Sequence, residues 1–299
     1  MAHDAPTPTG TMPSFDPFAE AQDTDHFEFF SSLAHDHALH AYHLPKVFGY
    51  QITKFEVLLA IAAALTLGSL LYLAARMRSG APPRGVLQNL LESAVYFVRD
   101  AIARPAIGHG TDGDKYVPYL ATTFLFILIA NLLGMIPFLG SPTGSLAVTA
   151  ALALVSFLVT HGSGVAEYGP AGYVKTFVPH IHMEGSLKPM GWALSLLMLF
   201  LELLTPFIRV MVLSVRLFAN ILAGHTALYV VLYFIRMVSH PEWVSFNQAP
   251  EWLYYPVAAF SIVLVTALSM LELLVAGLQA FIFTLLTAIF IGLAKHPAH

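Results

Sequence analysis

The sequence predicts an all-α polytopic membrane protein, and three observations carry that prediction. Of 299 residues, 57% are hydrophobic and 11% charged, and the mean hydropathy is +0.70, whereas soluble domains average about 25% charged residues. The apolar residues fall in runs of the ~20 residues that a hydrocarbon core of ~30 Å requires. The two longest runs, 192–238 and 252–294, exceed any upright span. About five membrane-crossing helices are expected, with one amphipathic interfacial helix and a long, strongly tilted C-terminal helical hairpin. The chain has no cysteine, which excludes disulfides and thiolate metal sites.

Each element follows from the local pattern. Residues 1–50 are expected to be an extramembrane tail and residues 51–299 the membrane domain. The first 45 residues are polar and acidic and lack Lys and Arg. That is unlike a secretory signal, which needs a basic start before an apolar run; the tail is read as partly disordered. His35, His37, His40 and His43, with Asp36, crowd its end, but their spacing matches no closed metal site and no metal is assigned. The first span is 56–75. The segment 83–104 has apolar residues at helical spacing interrupted by Arg84, Glu92, Arg99, Asp100 and Arg104, so it should lie at the interface. A Gly/Asp turn at 108–115 precedes the second span, 119–139. Pro137, Gly140, Pro142 and Gly144 break the chain before a third span, 146–161, and a polar loop is expected over 162–189.

The hairpin, 192–294, holds the remaining two crossings. At 1.5 Å per residue its first arm would be ~70 Å long as one helix, so it must tilt or run beyond the hydrocarbon. Pro206 is expected to kink or divide it, because proline removes a helix hydrogen bond. Basic residues set the orientation. With the N-terminus outside, Arg76, Arg78, Arg84, Arg99, Arg104, Lys115, Lys175, Lys188 and Lys295 fall inside, against Lys46, Lys54 and Arg236 outside. An N-out, C-in topology is expected.

The other two basic residues, Arg209 and Arg216, lie within the fourth apolar segment. A charge at mid-bilayer costs from ~3 to over ~10 kcal/mol and normally marks a functional site. Glu202, Arg209 and Arg216 are seven residues apart in turn, and Asn220 follows Arg216 by four. On a continuous helix these share roughly one face. On the last segment Glu272 and Gln279 are also seven apart. Facing residues of an antiparallel hairpin have a nearly constant sum of positions, and the sums for Arg216 with Gln279 and for His225 with Glu272 agree to within two. One register would place both pairs opposite each other. Such polar groups can simply satisfy one another and fix packing, as Glu202 with Arg209 or His225 with Glu272. That account leaves Arg216 without a counter-charge, since Glu202 is ~21 Å away along the axis. A guanidinium stays protonated, so it needs an anion from elsewhere, and a partner's carboxylate would serve.

The residues around Arg216 carry a resemblance. Arg216-Leu217-Phe218-Ala219-Asn220 followed by Ala223-Gly224-His225 resembles the signature of the a subunit of F-type ATP synthase. Leu271-Glu272-Leu273, then Leu278-Gln279-Ala280-Phe281-Ile282-Phe283, is similar to that family's last helix. Asn131-Leu132-Leu133-Gly134-Met135-Ile136-Pro137 is similar to its second-span motif. Order and spacing agree from about residue 119 to the C-terminus.

The resemblance implies a proton-translocating stator subunit whose two tilted helices face a rotating ring of c subunits. Other expected partners are the peripheral stalk b subunits, further ATP synthase subunits and the lipid bilayer, in an energy-transducing membrane such as a bacterial inner membrane. No nucleic acid and no cofactor are expected. Arg216 matches the family's essential arginine. It would favour the ionised form of a passing ring carboxylate and block direct leakage between two aqueous half-channels. Gln279 and Asn220 would neighbour it. His225 and Glu272 would line the outer path, with acid and imidazole exchanged relative to many bacterial relatives, as in mitochondrial ones. Glu202 matches a carboxylate of the inner path, and Arg209 an often basic position on its wall. Phe290 stands where the family often has tyrosine, and Gly144-Ser145-Leu146-Ala147 lacks an aspartate found in some relatives. No phosphate-cradling glycine motif occurs, so nucleotide chemistry belongs to another chain. Two other readings are a free-standing ion-coupled transporter, which would show internal repeats, and a purely structural scaffold. No such repeat is evident.

Overall fold

A computed structural model describes residues 26–28, 41–43, 46–47, 50–51, 53–78, 85–108, 111–136, 141–176, 188–239 and 254–296. Two short antiparallel ladders come first. β1 (His26–Glu28) pairs with β2 (Ala41–His43), setting His26 opposite His43, and β3 (Lys46–Val47) pairs with β4 (Tyr50–Gln51). The tail expected to be partly disordered thus contains two paired segments. His35, Asp36, His37 and His40 lie outside the described residues.

The rest is helical: α1 (Lys54–Arg78), α2 (Val86–Phe97), a π-helical turn (Val98–Ala103), α3 (Arg104–Ile107), α4 (Thr111–Asp114), α5 (Val117–Gly134), a 3₁₀ turn (Pro142–Gly144), α6 (Leu146–Thr176), α7 (Lys188–Ser239) and α8 (Tyr254–Lys295). By length and composition, five of the described stretches can cross a membrane: Lys54–Arg78, Val117–Gly134, Leu146–Pro170, Met211–Leu228 and Tyr255–Lys295. The expected number of crossings is therefore met. The described residues divide into two compact units, a smaller one within 222–274 and a larger one within 26–221 and 275–296.

In the larger unit α1 packs along α5. One core gathers Ile102, Leu120 and Ile127 with Leu213 and Leu217 of α7 and Ala280, Phe283 and Ile291 of α8. The Phe97 ring lies 6.1 Å from that of Phe124 and 5.7 Å from that of Phe281, joining α2 to α5 and α8. Leu91 of α2 is buried while Val86, Leu87, Leu90 and Phe97 are exposed, an arrangement in keeping with an interfacial helix.

The π-turn has a consequence for charge. Residues five apart on an α-helix point about 140° apart, whereas i→i+5 bonding brings them together. Arg99 and Arg104 both reach Asp114. Arg99 donates from Nε to Oδ1 at 3.0 Å and from Nη2 to Oδ2 at 2.8 Å, and Arg104 donates from Nε to Oδ1 at 3.1 Å. Arg104 also donates to Asp100 at 3.0 Å. The hydrogen bonds from Arg99, then Arg104, hold the Asp114 carboxyl well below the usual carboxylate range.

Two expectations need correction. The loop expected over 162–189 begins later, because α6 runs on to Thr176 with a kink where Gly169 takes φ 70° just before Pro170. Gly162 and Gly164 do not end the helix. Past the kink Tyr173 is buried against α6, where its hydroxyl meets His161 Nδ1 at 2.8 Å. Its ring occupies the space a Cβ on Gly164 would need. Pro206 does not divide the fourth segment either, since α7 is unbroken through it. Neighbouring structure can re-satisfy the freed backbone group in a membrane helix.

Candidate functional site

Arg216 lies on α7 in the stretch Met211–Leu228, and its side chain is exposed. The helix buries Leu213, Ser214, Leu217 and Ile221 and turns Val212, Val215, Arg216 and Ala219 outward. Ser214 fixes that orientation through its hydroxyl, 3.2 Å from Thr149 Oγ1 of α6. Two residues are about 200° of helix, so pinning Ser214 inward sends Arg216 out. Among the described residues of this stripe, Arg216 is the one cation, set among exposed apolar neighbours. Among the described residues no carboxylate forms an ion pair with it.

Asn220, one turn on, and Gln279 on α8 are half-buried. They share the larger unit with Arg216, but no hydrogen bond joins the three among the described residues. Gln279 stands one turn beyond Ala276, whose carbonyl accepts a 3.3 Å bond from the Asn131 amide. Asn131 is 0% exposed. Its Oδ1 accepts from Thr143 Oγ1 at 2.9 Å, and that hydroxyl lies 2.7 Å from Ser141 Oγ. Gly134 leaves room for this return, since a Cβ there would collide with the Ser141 side chain. The second-span motif thus has a physical reason: its asparagine holds α8 and its glycine admits the polar turn that completes the bonding.

In the smaller unit Glu272 is 7% exposed. Its Oε1 lies 2.8 Å from where a Cβ on Gly224 would be, so the carboxyl fits against α7 only because residue 224 has no side chain. Oε1 has no hydrogen-bond partner among the described residues. A buried polar oxygen without a partner is costly. Gly224 precedes His225, so α7 passes Glu272 beside the expected His225 position. The side chains of Glu202, Arg209 and His225 lie outside the described residues; their backbones belong to α7.

Sequence reasoning passed over Gly224 as a determinant, although it was visible in the Ala223-Gly224-His225 run. It passed over Ser214 and Thr149 because isolated hydroxyl residues are common in membrane helices and give no periodic signal. Nothing in the sequence links Lys295 to Asp112, which lie 3.4 Å apart.

The family model described as ATP synthase A chain matches residues 57–292. The ATP synthase subunit a of Myxococcus xanthus (strain DK1622) is 39% identical over 248 residues, covering 83% of this chain and 74% of that one. The ATP synthase subunit a of Chloroherpeton thalassium (strain ATCC 35110 / GB-78) is 35% identical over 265 residues, with 86% and 72% covered. The ATP synthase subunit a 2 of Prosthecochloris aestuarii (strain DSM 271 / SK 413) is 35% identical over 299 residues, with 97% and 78% covered. With most of its length matched by the family model and by these relatives, the chain belongs to the ATP synthase A chain family.

Proposed function

We propose that this chain is the proton-translocating stator subunit of a rotary ATP synthase, and that Arg216 is the fixed charge past which the carboxylates of a c-subunit ring move. The observation that carries the reading is the exposed Arg216, without an ion pair among the described residues, in a stretch long and apolar enough to cross a membrane in a chain from this family. A permanent counter-ion would abolish the need for a moving one. A ring carboxylate reaching Arg216 is favoured in its ionised form and gives its proton to the exit path. Beyond Arg216 it returns to lipid, where ionisation is costly, so it must first be reprotonated from the entry path. Proton flow thereby requires rotation. Gln279 and Asn220 supply neutral polar neighbours that orient the guanidinium without neutralising it.

On this reading His225 and Glu272 serve the outer half-channel, and Glu202, with Arg209 on its wall, the inner one. The ring, the peripheral stalk b subunits and the bilayer are the partners, the membrane is a bacterial inner membrane, and the termini lie N-out and C-in. Nucleotide chemistry takes place on other subunits. The decisive experiment is Arg216→Ala in the assembled complex, followed by ATP-driven proton pumping. Loss of coupled pumping is expected, and retained coupled pumping would reject the reading. Arg216→Lys should also pump poorly, because a desolvated lysine loses its proton far more readily than arginine.

A further inference from the structure

The geometry points to Lys295 as a positioning residue: with Asp112 it clasps the end of α8 and fixes where that helix presents Gln279. The inference rests on the reading of Arg216 and Gln279 given above. Lys295 is the last residue of α8 and is only 6% exposed, although it is ionisable. Its Nζ lies 3.4 Å from Asp112 and 3.5 Å from Glu167, and 5.9 Å from the centre of the Tyr116 ring. The backbone is held as well, since Tyr168 donates to the Lys295 carbonyl at 2.7 Å. One turn earlier, Gly292 approaches the Ala106 carbonyl so closely that a Cβ has no room.

The other half of the clasp is equally constrained. Asp112 and Asp114 sit on the same four-residue helix, α4, and Asp114 is gripped by Arg99 and Arg104. Between them Gly113 leaves no room for a side chain, because its Cβ would stand 2.7 Å from the Gly108 carbonyl oxygen. α4 therefore joins the interfacial segment on one side to α8 on the other. From Lys295 back to Gln279 is sixteen residues of continuous helix, ~24 Å. A helix transmits a rotation or slip along its length, so this contact acts with the Asn131 bond at Ala276 to set the facing of Gln279. Its value is not simply stability. Asp112 and Glu167 are both half-exposed, and ion pairs with exposed partners contribute little.

The test uses the assembled complex, with ATP hydrolysis and ATP-driven proton pumping measured on the same preparation. Lys295→Met should leave hydrolysis within about twofold while pumping per assembled complex falls roughly tenfold, below the ~100-fold that a misplacement of about 1 Å can cost. Lys295→Arg should retain most of the pumping. Asp112→Asn removes only a half-exposed acid and should show the same loss of pumping, so it answers the question if Lys295→Met fails to assemble. The chain has no native cysteine. A short bismaleimide across Asp112→Cys and Lys295→Cys should therefore restore pumping when other subunits carry no reactive thiol. A merely structural role would lower the yield of complex but leave pumping per complex unchanged, and that result overturns the proposal, as does failure of the cross-link to restore it. Arg216→Ala assayed alongside separates the two claims. Normal pumping in the clasp variants with loss in Arg216→Ala rejects the clasp alone, whereas retained pumping in Arg216→Ala rejects the functional reading itself.

Discussion

Glu272 and Gly224 show how much depends on the absence of one methyl group. The Glu272 carboxyl occupies the volume that any side chain at 224 would take. Because the obstructing atoms are the end of a flexible side chain, Gly224→Ala should cost little folding stability and act instead by displacing the carboxyl. Proton flux through the assembled complex is expected to fall at least about tenfold, a conservative figure beside the ~10²–10⁴ that a positioned proton-transfer group contributes. Glu272→Gln should slow flux similarly with normal assembly, and adding Gly224→Ala to it should cause no further loss. Independent, additive losses in the double variant would show that Gly224 acts through something other than Glu272. Arg216 and Glu272 were both legible in the sequence because a charge in an apolar run is conspicuous. Gly224 was not, since glycine's contribution is space, and space appears only once the neighbouring helix is in place.

At the scale of elements, apolar run length located the crossing segments, and α1, α5 and α8 fall close to their expected bounds. The end of α6 did not follow, because Gly162, Ser163 and Gly164 resemble the start of a loop. Instead the helix continues, kinks at Gly169 and folds Tyr173 back over Gly164 and His161. A long-range contact decided a local conformation. Gly164→Ala would drive a methyl group into the Tyr173 ring, an overpacking change of about 1–3 kcal/mol, and thermal unfolding of the purified protein in detergent should show a lower midpoint. Combining it with Tyr173→Ala should recover part of the loss relative to the sum of the single variants; strict additivity would argue against the contact. The Asn131 network was half legible: its motif stood out, but its partners Ser141 and Thr143 needed the chain's return to be seen.

At the scale of the whole molecule, the distribution of Lys and Arg predicts an outside N-terminus and an inside C-terminus. Since the chain lacks cysteine, single cysteines placed at positions 4 and 299 are clean reporters. A membrane-impermeant maleimide added to intact cells should label position 4 and reach position 299 only after the membrane is opened; the reverse pattern would invert the topology and exchange the two half-channels. The clasp at Lys295 also belongs to this scale, because it joins segments that are far apart in sequence and no periodicity reveals it. The π-turn at Val98–Ala103 takes up one residue more than an α-turn. With that residue deleted and α-helical spacing restored, Arg104 would swing away from Arg99 and Asp114 would be held from one side only. The double grip on Asp114 therefore depends on the length of this short segment as well as on its residues.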